Sequence, residues 1–261
     1  MNSKGAQYFF ESSARSVVGL VREGNEDSGF TSAKLIAVAD GMGGHAGGEV
    51  ASRIAIKTLA SLTSVLSNTE IDSDSIEDLL QNSLHTIDGE IGEHAREEIE
   101  VRGMGTTLTA LLLYGDKVAL LHIGDSRAYR IRGNDLDQLS CDHTVMQELL
   151  DTGAITPADV RDHPQRSVLT QALMGDGNVT PVLQIYDVKV GDRFILCSDG
   201  LSSVLSDKEI KALLKKKSAD ESITALIDAT YINGAPDNVS IIIADVVTSS
   251  DATTLFIGAA Q

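Results

Sequence analysis

The chain has 261 residues, a hydrophobic fraction of 42% and a formal charge of −17. That size accommodates one large domain or two small ones with an ample core. The acidity argues against nucleic acid or an anionic membrane as partner, because no basic stripe is present to neutralise phosphates. Cys141 and Cys197 form neither a CxxC pair nor a zinc-like set with histidine, and no stretch approaches about 18 uninterrupted apolar residues. A reduced, cytoplasmic protein without membrane insertion is therefore expected.

Residues 1–12 read as a leader. Short strands are expected over 16–21 and 28–32, around the polar bend Arg22-Glu23-Gly24-Asn25-Glu26-Asp27, and over 35–39. Residues 49–66 carry helical periodicity, with Val50, Ile54, Leu59 and Leu62 near one face. A second helix over 73–98 has the stripe Ile76, Leu79, Leu80, Leu84, Ile87 and Ile91, with Asp72, Ser73 or Asp74 as its N-cap. In the middle, 106–114 and 117–123 read as a hairpin across Gly115-Asp116, and 128–132 with 136–139 continues it as a second, making a meander. A short helix over 142–151 leads into an irregular segment, 153–178. Strands over 184–188 and 193–197, helices over 207–217 and 220–232, and a strand over 239–247 follow, with 248–261 as a tail. Strands at the start, middle and end, with helices in pairs between them, suit an α+β layered domain.

Four aspartate-bearing motifs lie at the edges of the apolar runs: Ala39-Asp40-Gly41-Met42-Gly43-Gly44-His45, Gly124-Asp125-Ser126-Arg127, Ser198-Asp199-Gly200-Leu201 and Pro236-Asp237-Asn238. Strands that end in acidic residues gather carboxylates at one rim of a sheet, and repelling carboxylates are costly to cluster unless a cation neutralises them. The glycine turn after Asp40 also matches G-x-G-x-x-A between a strand and a helix, the setting of a dinucleotide site. Against that stand the lack of an acidic residue about 20 positions on and the meander that follows. The alternatives are a bend that exposes the Gly41 carbonyl as a ligand to a hard cation, or a purely structural turn. Arg22, in the polar bend with Glu26 and Asp27, has the chemistry to hold a phosphate bidentately. Taken singly, that bend reads as a solvated turn, Asp125 as a turn paired to Arg127, and Asp237-Asn238 as an Asx turn. The set carries the signal. Among the histidines, His122 reads as a core residue and only His45 sits where it could deliver a proton.

In order, R-x-x-N-E-D, D-G-M-G-G-H-A-G-G-E-V-A-S, G-M-G-T-T, G-D-S-R-A-Y-R, S-D-G-L and P-D-N-V-S resemble the metal-dependent type 2C protein serine/threonine phosphatases (the PPM family), in particular their compact bacterial members. The resemblance spans about residues 14 to 247. It implies a four-layer sandwich of two antiparallel β-sheets flanked by helices, with a catalytic domain over 13–247 and a flap near 153–178. It also implies a cluster of Mn²⁺ or Mg²⁺ ions, two in the core and a third beside them. Carried over by motif, Asp40 bridges two ions and Gly41 lends its carbonyl. Asp199 and Asp237 complete one ion, Glu26 and Asp27 contact the second, and Asp125 with Asp199 holds the third. Arg22 is the phosphate-binding arginine. His45 is the general-acid candidate, displaced along the chain relative to members in which a histidine directly follows D-G. The implied activity is hydrolysis of phosphoserine and phosphothreonine on proteins by a metal-activated water, in a monomer that opposes a Ser/Thr protein kinase in signal transduction. The rivals are a pseudophosphatase that binds without turnover, and a phosphatase dedicated to one anti-sigma-antagonist-like regulator.

Overall fold

Nine residues of β1 (Phe9–Val17) pair without a break against β11 (Val239–Val247), the longest pairing in the fold. The computed structural model describes residues 7–44, 47–66, 73–156, 159, 160, 163–215 and 217–261. One sheet has the order β1-β11-β10-β7-β8, with β7 (Arg127–Arg132), β8 (Asp135–Gln138) and β10 (Arg193–Cys197) completing it. The other has the order β12-β2-β3-β5-β6-β9, where β2 is Asp27–Thr31, β3 Leu35–Met42, β5 Leu108–Tyr114, β6 Lys117–Ile123, β9 Val182–Asp187 and β12 Leu255–Gly258. The short β4 (Gly105–Thr106) pairs with the end of β3. All pairings are antiparallel.

The central strands are apolar on both faces because each sheet is covered twice. Ile36, Val38, Leu111, Leu120, Phe194, Leu196, Ile242 and Ala244 fill the space between the sheets. Their neighbours Leu35, Ala37, Leu112 and Leu121 turn the other way, against α1 (Gly47–Leu66) and α2 (Ser73–Glu97). Ile195, Cys197, Ile241 and Ile243 likewise meet α4 (Asp199–Ser202), α5 (Asp207–Leu214) and α6 (Ala219–Ile232). Period-two alternation with both sides buried is what a four-layer sandwich demands. Capping boxes, Ser206 with Glu209 and Ser218 with Glu221, start α5 and α6. Thr144 caps α3 (Val145–Asp151). No helix among the described residues is long and apolar enough to cross a membrane.

Four expectations are corrected. Residues 9–12, read as leader, begin β1; polar Glu11, Ser12 and Ser13 mask a strand that a long neighbour holds by its backbone. The strand expected over 16–21 ends at Val17, and Leu20 and Val21 are exposed on a loop. The tail contains β12, which pairs with β2 and buries Ile257 and Ala260. The meander breaks between its hairpins: β6 and β7 lie in different sheets, joined through Gly124, whose φ of +103° turns the chain across the sandwich. Within the described part of 153–178 there is no helix or strand, only isolated bridges.

Candidate metal centre

Antiparallel alternation brings the acidic motifs to one end of both sheets. Asp40 lies near the end of β3, directly opposite Asp27 at the start of β2. In the facing sheet, β10 ends and β11 begins at the same rim, with Cys197 opposite both Ile241 and Arg127. Asp199 therefore follows β10 there, Asp237 precedes β11, and Asp125 sits in the crossover that enters β7.

The backbone of Asp40 is clasped on both sides. Its N–H donates to Thr107 Oγ1 at 3.0 Å, and its carbonyl accepts from Thr106 Oγ1 and from the Thr107 N–H, both at 2.9 Å. Thr107 Oγ1 also lies 2.8 Å from Ser126 Oγ, which ties the Asp40 strand to the Asp125 turn. Asp27 is buried, with Oδ2 accepting from Ser198 Oγ at 2.7 Å. Its Oδ1 is buried without a hydrogen-bond partner. A carboxylate opposite another carboxylate, with one oxygen orphaned, is destabilising as it stands.

The electrostatics express the same crowding. Burial, then the charges of Asp27, Asp199, Asp125 and Asp237, pushes the Asp40 carboxyl well above the usual carboxylate range. Burial raises Asp27 to about 7 despite the bond from Ser198, burial and Asp199 raise Asp125 to about 7, and burial and Asp237 raise Asp199 to about 6. Glu26 is raised by burial, against the pull of Arg22.

The loop between β1 and β2 is fastened to the Asp237 turn. Asn238 Nδ2 donates to the carbonyls of Val18 (2.9 Å) and Gly24 (2.8 Å), and Asn238 Oδ1 accepts from the Glu26 N–H at 2.8 Å. Arg22 Nη2 donates to Asp237 Oδ2 at 2.7 Å, with nearly half of its side chain still exposed. Ala235, two residues before Asp237, has φ of +32°, a costly conformation for a residue with a Cβ. At Gly41 a Cβ would lie 2.1 Å from the Gly48 carbonyl oxygen and 2.5 Å from that of Glu26, so only glycine lets the first turn of α1 approach the rim.

A chain similar in both sequence and architecture is already known. The model of the family described as protein phosphatase 2C matches residues 24–234. The chain belongs to the protein phosphatase 2C family. It is 44% identical over 237 residues to the serine/threonine protein phosphatase PstP of Mycobacterium tuberculosis, a match covering 90% of this chain and 44% of that protein. The chain thus spans under half the length of that relative. It is 33% identical over 236 residues to the serine/threonine phosphatase Stp of Listeria welshimeri, covering 87% of this chain and 92% of that one. A solved structure of the catalytic domain of PstP in complex with two manganese ions superposes with a TM-score of 0.84 at 41% identity, covering 92% of this chain and all of that one.

In this phosphatase 2C fold, Asp27, Asp40, Asp125, Asp199 and Asp237 come to one electrostatic neighbourhood, with Arg22 and Glu26 beside Asp237. His45 lies outside the described residues. Among the described residues no three of these groups converge closely enough to form a cage by themselves. The donor set nevertheless fits Mn²⁺ or Mg²⁺, which take hard oxygens, keep several waters and need few carboxylates each. The orphaned Asp27 Oδ1 is the particular sign that a cation belongs here. Sequence reasoning missed the residues that set this geometry: Thr106 and Thr107, which clasp Asp40, and Asn238, which it read only as part of a turn. Their signal was polar residues lodged in otherwise apolar strand ends.

Proposed function

We propose that this chain hydrolyses phosphoserine and phosphothreonine on proteins with Mn²⁺ or Mg²⁺, two ions in the core and a third beside them. The observation that carries the reading is the gathering of Asp27, Asp125, Asp199 and Asp237 about Asp40, with one buried oxygen of Asp27 left without a partner. Asp40 would bridge the core ions with the Gly41 carbonyl alongside, Asp199 and Asp237 would hold the first, Glu26 and Asp27 the second, and Asp125 with Asp199 the third. When bound, such ions supply the positive charge that a phosphate dianion requires and acidify the attacking water. Thr106, Thr107 and Asn238 keep the carboxylates in place, so that little reorganisation is left for the reaction.

Arg22 would hold the phosphate. Its guanidinium has five N–H donors and spends one on Asp237 Oδ2, leaving the others for phosphate oxygens. It would thereby link the substrate to a metal-holding carboxylate. His45 would protonate the leaving alkoxide. The substrates are proteins phosphorylated by a Ser/Thr kinase, and the enzyme acts as a cytoplasmic monomer, a setting that its two free cysteines suit. The 13–247 span is then the catalytic domain, with 153–178 as a flap.

The test is hydrolysis of a phosphothreonine peptide with Mn²⁺ and with chelator, for wild type and Asp237→Ala. Activity is expected to require metal and to fall about a hundredfold or more in the variant. Undiminished turnover in chelator refutes the proposal.

A further inference from the structure

The irregular segment between α3 and β9 is rooted at two of the acidic turns. At its first root, the Thr170 N–H donates to the His143 carbonyl at 2.9 Å and the Val145 N–H to the Val168 carbonyl at 3.0 Å. His143 Nδ1 in turn accepts from the Gly124 N–H at 3.1 Å, next to Asp125. At its second root, Leu173 and Thr106 exchange two backbone hydrogen bonds of 2.9 Å, and Thr106 Oγ1 reaches the Asp40 carbonyl.

Just beyond the second root the chain closes on α2 through a carboxylate that the metal centre does not use. Asp88 is 3% exposed and lies on the same helix face as Leu84, Ile87 and Ile91, where packing alone calls for an apolar residue. Its Oδ1 accepts from the N–H groups of Met174 (3.1 Å) and Gly175 (2.8 Å), and its Oδ2 from that of Gly177 (2.9 Å). Gly175 and Gly177 have φ of +74° and +76°, a left-handed geometry that turns nearby amides toward one point and makes an anion-holding concavity. A Cβ on Gly92 would lie 2.4 Å from the Gly175 carbonyl oxygen, so helix and loop are in backbone contact. A buried carboxylate is retained only where donors offset its desolvation, and here all three are backbone amides of one loop.

We propose that Asp88 is a positioning residue for the phosphatase reaction: from α2 it anchors the return of the flap and sets where the flap stands over the acidic rim. The inference rests on the phosphatase reading of that rim. Asp40 keeps its own bonds to Thr106 and Thr107 without Asp88. Loss of the anchor therefore acts on substrates large enough to meet the flap, and spares the chemistry at the metal centre.

The experiment compares wild type, Asp88→Ala and Asp88→Asn with Mn²⁺ present, by amide hydrogen exchange and by kinetics on an aryl phosphate and a phosphothreonine peptide. In Asp88→Ala the amides of Met174, Gly175 and Gly177 are expected to exchange about ten- to a hundredfold faster. KM for the peptide rises about tenfold, while kcat and KM for the aryl phosphate stay within about twofold. Asp88→Asn keeps the Oδ1 acceptor, so Gly177 loses more protection than Gly175; this variant carries the test if the alanine protein does not fold. Unchanged exchange at these amides, or a parallel loss on both substrates, overturns the proposal. If wild type hydrolyses neither substrate, the phosphatase reading fails instead, and the exchange data still decide the anchor.

Discussion

Asn238→Ala isolates the joint that fastens the phosphate-binding loop to the sandwich. Asn238 is 4% exposed and makes three hydrogen bonds, donating to the carbonyls of Val18 and Gly24 and accepting from the Glu26 N–H. Truncation leaves two carbonyls and one amide without partners. At about 1 kcal/mol net for each bond, and more where water cannot re-enter, the loss is about 3 to 4 kcal/mol. For a domain of this size that is a fall in Tm of about 6–15 °C. Asn238→Asp preserves the acceptor toward Glu26 but sets a carboxylate against the Val18 and Gly24 carbonyls, so it should be no milder. The assay is urea denaturation in chelator, which removes any contribution from bound metal. Activity at saturating Mn²⁺ should also fall, because Arg22 and Glu26 sit on the released loop. A stability change below about 0.5 kcal/mol, the scale of an ordinary surface substitution, would refute the argument that this residue closes the joint.

The remaining predictions concern charge and close packing. Asp27 and Asp125 titrate at about 7 and Asp199 at about 6 in the folded chain, raised by burial from 3.8. Their contribution to stability is fully present below about pH 4 and declines as pH rises from there to 6 or 7, because the unfolded chain ionises near 4 while the folded one resists until 6 to 7. Thermal melts should therefore show that Mn²⁺ raises Tm more at pH 7.5 than at pH 5, since metal displaces those protons; an increment independent of pH would count against the site. His122, lowered to about 4 by burial, costs stability as pH falls below about 6.5, but it does so with and without metal and cancels in the difference. Gly41→Ala places a Cβ against the backbone of Gly48 and Glu26 and should cost about 3 kcal/mol or more in denaturant melts; a neutral effect would mean that the contact is not held in solution.

Much of the fold was legible because its central strands are buried on both sides and read as unbroken apolar runs. β3, β6, β10 and β11 appear at or near their expected bounds, and the helices that cover them carry clear stripes. β1 and β12 were not legible. Each is held by a neighbour's backbone, and hydrogen bonding between main chains leaves little trace in side-chain pattern. The second hairpin was legible as a hairpin, yet its sheet was not, since local turn chemistry says nothing about which layer receives the next strand.

By itself, the sequence determined the kinds of groups available: aspartates at strand ends, one arginine in a polar bend, and a glycine turn between a strand and a helix. These follow from local composition and from periods of two and of about 3.6 residues. Only the tertiary structure decided that Asp27 faces Asp40, that its Oδ1 lacks a partner, that Asn238 ties three segments together, and that Asp88 holds a loop far along the chain. Those facts are relations between residues distant in sequence, fixed by strand register and by the crossover at Gly124, and no local pattern encodes them.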